Sequence, residues 1–399
     1  MFSPRALAGL LAPLLFLNAP LARAQQPAPS PPAAAQDAQE EERVFTEEVR
    51  IPVFAADEHG NFDPTLEREE ILVLEDDVPQ EVRSVRRVPA SILLLLGTGG
   101  ELNPAVRVST TRDIALRLVS RLREGDSVAL MQFSSTAQTL RDWTADRDEI
   151  SEALRTRLST GRGSRLSRAV IEAAAQFERQ PVGNRHLVLI TDGVEVPGRL
   201  TYQEAIKVLG ADTPEQRAQA AEAVRRLNAA QATVHVISYT SIGRKTIELE
   251  GKRAQDVVGA TQSRADMATV GIDPTRPPGM RVGGGGINPP TAGGHIRFDP
   301  QMRRLRKAYE SETRRSEQRL LSLAEETGGR IWLPLSTEEM VAAGGEVARE
   351  IGSQYVVTYR PKRPLATAPP NEYRRIRIAP RRLGLTLRAR RGYVVAAMR

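Results

Sequence analysis

The spacing of hydrophobic positions changes along the chain, and each change marks a different kind of element. Between residues 43 and 88 the period is two. Val49, Ile51 and Val53 alternate with other residues, which predicts a strand, and Ile71–Glu75 predicts a second. Asp76-Asp77 stands where a tight turn is needed, with Val82, Val85 and Val88 beyond it. His59-Gly60-Asn61 marks an earlier turn. The segment reads as a small β module.

From residue 91 unbroken apolar runs alternate with helical spacing. Ser91–Leu96 has no polar interruption after its first residue, the pattern of a strand buried on both faces. Val106–Leu122 follows, with Ile114, Leu118, Val119 and Leu122 on one stripe. Further strands are predicted over Ser127–Phe133, His186–Thr191 and Thr233–Tyr239, with a short edge strand over Ala137–Trp143. Helices are predicted over Arg165–Phe177 and over the Ala- and Arg-rich stretch Thr213–Gln231. Strands alternating with helices imply a doubly wound, mostly parallel α/β sheet.

The pattern breaks at about 241–300. Arg276-Pro277-Pro278-Gly279, Gly283–Gly286 and Asn288-Pro289-Pro290 read as a flexible insertion. A helix is predicted from Gln301 to Thr327. Its middle, Glu310–Arg319, is polar all round and is expected to project into solvent, and Gly328-Gly329 ends it. Ile331–Leu335 completes the sheet, Thr337–Ile351 is helical, and Tyr355–Tyr359 and stretches within 373–395 read as strands. The β module and the C-terminal strands are each too small to stand alone, so they are expected to form one accessory β unit.

Composition adds location. Arg5, the apolar stretch Leu7–Leu17 and the small-x-small Ala22-Arg23-Ala24 form a secretory signal over 1–24, with cleavage expected after Ala24. Gln25–Glu42, rich in Pro, Ala, Gln and Glu, is expected to be a disordered linker. The expected product is exported, periplasmic or extracellular, without a transmembrane anchor after cleavage. There is no cysteine, so packing rather than disulfides must hold it together. The expected organisation is therefore the β module at 43–88, an α/β domain at 89–360, and Arg-rich strands at 361–399.

Several segments, in order, resemble the von Willebrand factor A (VWA) family, and among it the bacterial group labelled VWFA-related. Residues 67–85 (EREEILVLEDDVPQEVRSV) resemble the strand-turn-strand prelude of that group. Residues 90–102 (ASILLLLGTGGEL) stand where the family carries its first strand and D-T-S-G-S-M loop. Residues 163–170 (GSRLSRAV) resemble its G-T-x-L-x-x-A helix start, and 186–193 (HLVLITDG) its strand ending in T-D-G. Residues 323–334, 353–361 and 374–395 resemble its closing segments.

The resemblance implies a metal-ion-dependent adhesion site, in which D-x-S-x-S, a threonine and the Asp of T-D-G surround a hard cation with oxygen. Here the D-x-S-x-S positions fall on Gly97, Gly99 and Glu101. Ser164 stands at the threonine position and Asp192 at the last Asp. Most of the ligand set is gone, leaving a degenerate site. Two readings stand. In the first the chain binds a protein partner without cofactor, through loops holding Gly97, Thr98, Gly99, Gly100, Glu101, Ser164, Asp192 and Gly193. In the second a remnant site of Ser164, Asp192, Thr98 and Glu101 holds Mg²⁺ or Mn²⁺.

Enzymatic chemistry finds little support. No G-x-S-x-G, H-E-x-x-H or complete P-loop occurs. His59, His186, His235 and His295 are scattered, without metal-pair spacing on one helix. A hydrolase using Asp192 and Glu101 as acid and base is the remote third reading. Arg374, Arg375, Arg377, Arg381, Arg382, Arg388, Arg390 and Arg391 read first as one solvated strand face and second as a patch for an anionic surface. Nucleic acid is not an expected partner of an exported protein.

Overall fold

The structure, a computed structural model, describes residues 47–99, 107–198, 202–211, 213–246, 248, 300–369 and 371–395. The signal and linker segments, Gly100, Glu101 and nearly all of the 241–300 insertion lie outside the described residues.

The central sheet has six strands: β5 (Ser91–Gly97), β6 (Ser127–Phe133), β7 (Ala137–Thr144), β8 (Arg185–Thr191), β9 (Ala232–Ser238) and β10 (Ile331–Trp332). Their order is β10-β9-β8-β5-β6-β7. All neighbours are parallel except β7, which runs antiparallel to β6. The side chains of β5 divide between two cores. Ile92, Leu94 and Leu96 pack under α1 (Val108–Val119), α2 (Arg147–Thr156) and α8 (Thr337–Gly352). Leu93 and Leu95 face the opposite side, under α3 (Leu166–Gln176), α5 (Pro214–Ala230) and α7 (Pro300–Glu326). A strand buried on both faces must be apolar at every position, which is why Ser91–Leu96 reads as one run. The expected doubly wound sheet is present.

Three helices were not anticipated. α2 follows Asp146, whose side chain caps it by accepting the Asp148 amide at 2.8 Å. α4 (Tyr202–Gly210) packs on α7, and α6 (residues 240–246) extends from the end of β9 into the start of the insertion. The edge strand β10 covers only the first two residues of the predicted Ile331–Leu335.

The remaining strands form two antiparallel sheets of four: β13-β1-β11-β4 and β14-β12-β2-β3. The members are β1 (Val49–Ala56), β2 (Ile71–Glu75), β3 (Val78–Gln80), β4 (Val82–Arg86), β11 (Gln354–Tyr359), β12 (Tyr373–Pro380), β13 (Thr386–Ala389) and β14 (Gly392–Val394). N- and C-terminal strands pair directly, β1 with β11 and β13, and β2 with β12. The two sheets share one core that includes Ile51, Val53, Val73, Val357, Ile376 and Tyr393. Gln354–Tyr359, read with the central domain from sequence, lies between β1 and β4 in this accessory unit.

The arginine-rich strands form a solvated face only in part: Arg375 and Arg377 are exposed and alternate with inward Ile376 and Ile378, while Arg374 and Arg390 are buried. Arg374 is fully buried among Glu75, Tyr359 and Tyr393, whose groups converge on the Glu75 carboxylate at 2.6–3.0 Å. Arg375 and Arg377 pair with Asp77, Arg382 with Asp63 and Glu70, Arg388 with Glu350, and Arg391 with Glu325. Arg390 is buried, which pushes its guanidinium down to about 10. Most of these charges are therefore neutralised locally rather than displayed as a stripe.

Candidate functional site

The parallel strands end at a common upper edge. β5 and β8 are direct neighbours, with Leu96 opposite Ile190. Gly97 closes the first strand and Asp192 follows the second, so they share that edge. Loops 97–99, 161–164 and 192–196 meet there. They are joined main chain to main chain: Gly161 N–H donates to Thr98 O at 3.2 Å, and Ser164 and Val196 exchange N–H···O bonds at 2.7 and 2.9 Å. Thr98 donates from both its amide and its hydroxyl to Phe133 O, at 2.9 and 3.3 Å.

Glycine permits this closeness. A Cβ at Gly99 would fall 1.6 Å from the Gly163 carbonyl oxygen, inside any permissible contact. At Gly97 it would lie 3.0 Å from Ile190 O and 3.3 Å from both the Phe133 ring and Thr191 Oγ1. The space a longer side chain would need at these two positions is filled by neighbouring loops. At Gly99 an added group requires backbone movement, whereas at Gly97 the neighbours would have to yield by a few tenths of an ångström.

Asp192 is buried and engaged. Its Oδ1 accepts the Val194 amide at 3.1 Å, and its Oδ2 accepts the Tyr309 hydroxyl at 3.2 Å. Its main-chain oxygen accepts from Ser316 Oγ at 2.8 Å. Both donors come from the middle of α7. This overturns the expectation that Glu310–Arg319 projects into solvent. Glu312, Thr313 and Ser316 are buried, the helix seats on the Asp192–Gly193 turn, and a Cβ at Gly193 would meet Ser316 Oγ at 2.3 Å. Ser316 bonds the Asp192 main chain and Tyr309 its carboxylate, while Thr313 and Glu312 are satisfied within the helix, partners that helical periodicity cannot reveal.

α7 and α4 form a cap with its own small core: Val194, Val196, Ala205, Leu209, Leu305 and Tyr309. Beside it, Thr240 Oγ1 and Arg244 Nη1 both donate to Glu317 Oε2, at 2.7 and 2.8 Å. Below it, the Tyr239 and Thr111 hydroxyls share a buried bond of 2.8 Å, and burial raises the Tyr239 phenol above its ordinary range.

Of the sequence-predicted site residues, Gly97, Thr98, Gly99, Ser164, Asp192 and Gly193 are brought together. Thr98, Ser164 and Asp192 are buried, at 3%, 7% and 7% exposure, so they are not themselves a contact surface. Gly100 and Glu101 lie outside the described residues. Tyr309 and Ser316 were missed. The signal available was the spacing Tyr309, Thr313, Ser316, Leu320, a buried stripe hidden by its polar members.

An open, mostly parallel sheet between two helical layers, with loops converging where its strands end, defines a doubly wound α/β domain. Residues 94–195 match the family model of the von Willebrand factor type A domain, and the central sheet has the α/β fold expected from that resemblance. Among solved structures, the chain is similar to an aerotolerance-related membrane protein from Bacteroides fragilis. That match has 20% identity and a TM-score of 0.28, covering 37% of this chain and 67% of that one. It is similar to BatB from Bacteroides thetaiotaomicron at 20% identity and a TM-score of 0.26, covering 37% and 66%. It is similar to a von Willebrand factor type A protein from Catenulispora acidiphila at 10% identity and a TM-score of 0.39, covering 88% and 74%. The chain thus spans about two thirds of the length of the two Bacteroides proteins. No curated protein matches the chain.

Proposed function

We propose that this chain is an exported, non-catalytic protein that binds a protein partner through the upper rim of its VWA domain, without a metal ion. The observation that carries the reading is the approach of Gly99 to Gly163. Where the family motif would place a hydroxyl ligand, a side-chain atom would stand 1.6 Å from a carbonyl oxygen. Mg²⁺ requires six oxygen ligands at near-ideal octahedral positions. Among the described residues, Gly97 and Gly99 supply no side-chain oxygen, and both Asp192 carboxylate oxygens already accept hydrogen bonds. The described rim residues do not complete the cage, and no group of acidic residues or histidines suited to a metal occurs among the described residues, which supports the metal-free reading; Glu101 lies outside them.

Recognition then rests on shape and polar contacts. The exposed parts of the rim are Ser159, Thr160, Arg162, Arg165 and Pro197, which flank the buried turn. Arg162 and Arg165 make this rim basic and suited to an acidic partner surface. Export follows from the N-terminal signal features. Among the described residues no helix is long and apolar enough to cross a membrane.

The test is affinity capture from envelope extract with the full mature chain as bait, run in parallel in Mg²⁺ and in chelator. The expected result is one partner retained equally in both and lost with the Arg162→Glu/Arg165→Glu variant. Retention only in Mg²⁺ would overturn metal independence. No retention in either would overturn partner binding.

A further inference from the structure

The helices on one face of the central sheet do not fill the space between them. α3 and α5 pack closely through small residues, including Ala169, Ala173 and Ala223. α7 is drawn instead toward α4 and the Asp192 turn by the core around Tyr309. The face that α5 turns to the resulting gap carries Ala220, Ala223 and Val224, too short to close it. A cavity of about 170 Å³ remains between α3, α5 and α7, walled by Leu166, Val170, Ala220, Val224, Leu320 and Leu323. It continues into a cleft between α5 and α7 that shares Ala220, Val224, Arg319 and Leu323, giving a route from solvent.

Ser167, Glu195, Gln216, Arg217, Glu312 and Arg319 stand at its border, and three of the acceptors there are already engaged with the protein. Glu195 accepts the Ser167 amide, Gln216 accepts the Thr213 amide at 3.1 Å, and Glu312 accepts from Arg319 at 2.7 Å. An occupant would meet a wall that is mainly apolar, with its charged groups at the border. Apolar lining that lacks contact partners gains dispersion contacts from an apolar occupant.

We propose that this cavity is a binding site for a small, uncharged, apolar molecule of single-ring to indole size, entering between α5 and α7. The site lies beside the rim and shares Gly193 and Glu195 with it. It does not depend on the proposed partner.

The test uses benzene and indole as probes against the full mature chain, followed by thermal melting and by the methyl NMR signals of Val224, Leu320 and Leu323. Saturable shifts of those methyls and a ligand-dependent rise in Tm are expected. Ala220→Leu, which fills the cavity, should weaken binding about tenfold or more, equivalent to at least 1.4 kcal/mol. Ala220→Met serves the same purpose if the leucine variant does not fold. Absence of saturable shifts in the unmodified chain would overturn the proposal, as would undiminished binding by a folded filled variant.

Discussion

The Tyr309 hydroxyl donates to the carboxylate of Asp192, two residues far apart in the chain. A helix entering after the insertion thus helps hold the turn that closes β8, and Ser316 adds a second bond from the same face. Tyr309→Phe removes the hydroxyl and keeps the ring in its small core. A loss of about 0.5–1.5 kcal/mol in urea denaturation is expected, with faster amide exchange across 192–196. Unchanged exchange there would mean that α7 does not hold the turn.

Gly99→Ser restores a hydroxyl at a family ligand position. Because Gly163 O occupies the space, the variant is expected to lose roughly 1–3 kcal/mol or more and to gain no response to Mg²⁺. Chemical denaturation with and without the ion checks both halves.

Much of this architecture was legible because burial on two faces forces unbroken apolar runs. Ser91–Leu96 and His186–Thr191 announced neighbouring core strands, and their T-D-G and glycine-rich ends marked the rim. The Asp146 cap and the Ile150, Ala153, Leu154 stripe were the available signal for α2. α7 was misread for a physical reason: its buried stripe carries polar groups satisfied by Asp192 and by the helix itself, so its hydropathy is that of a solvated helix. Arg374 was equally opaque. It shares the inward face with Ile376 and Ile378, but its partner Glu75 lies on β2, far away in sequence.

That buried cluster gives a third prediction. Glu75 receives Arg374, Tyr359 and Tyr393, and removing it strands a guanidinium in the core. Glu75→Ala is expected to cost about 3–5 kcal/mol by calorimetry or denaturant, and Glu75→Gln less. A loss under about 1 kcal/mol would show that the cluster is not desolvated.

The fourth concerns pH. His186 is fully buried between β5 and β9, with Nε2 facing Asn184 Oδ1 at 2.8 Å and Nδ1 facing His235 Nε2 at 3.1 Å. Burial, and then the neighbouring His235, hold it well below the ordinary value of 6.5. The folded chain keeps the ring neutral while the unfolded chain protonates near that value. Its contribution is therefore complete above pH 6.5 and is lost as pH falls below it. Glu350 adds a further loss at lower pH: burial raises its carboxyl, but His235 and Arg388 outweigh that and hold it below the usual range. Urea stability measured from pH 8 to pH 5 is expected to fall less steeply for His186→Gln than for the unmodified chain.

The most direct measurement is isothermal titration of the mature chain with Mg²⁺ and with Mn²⁺. No saturable heat is expected from either ion, and Asp192→Ala should leave the trace unchanged. Tight one-site binding, abolished by Asp192→Ala, would contradict the metal-free rim on which the functional reading stands.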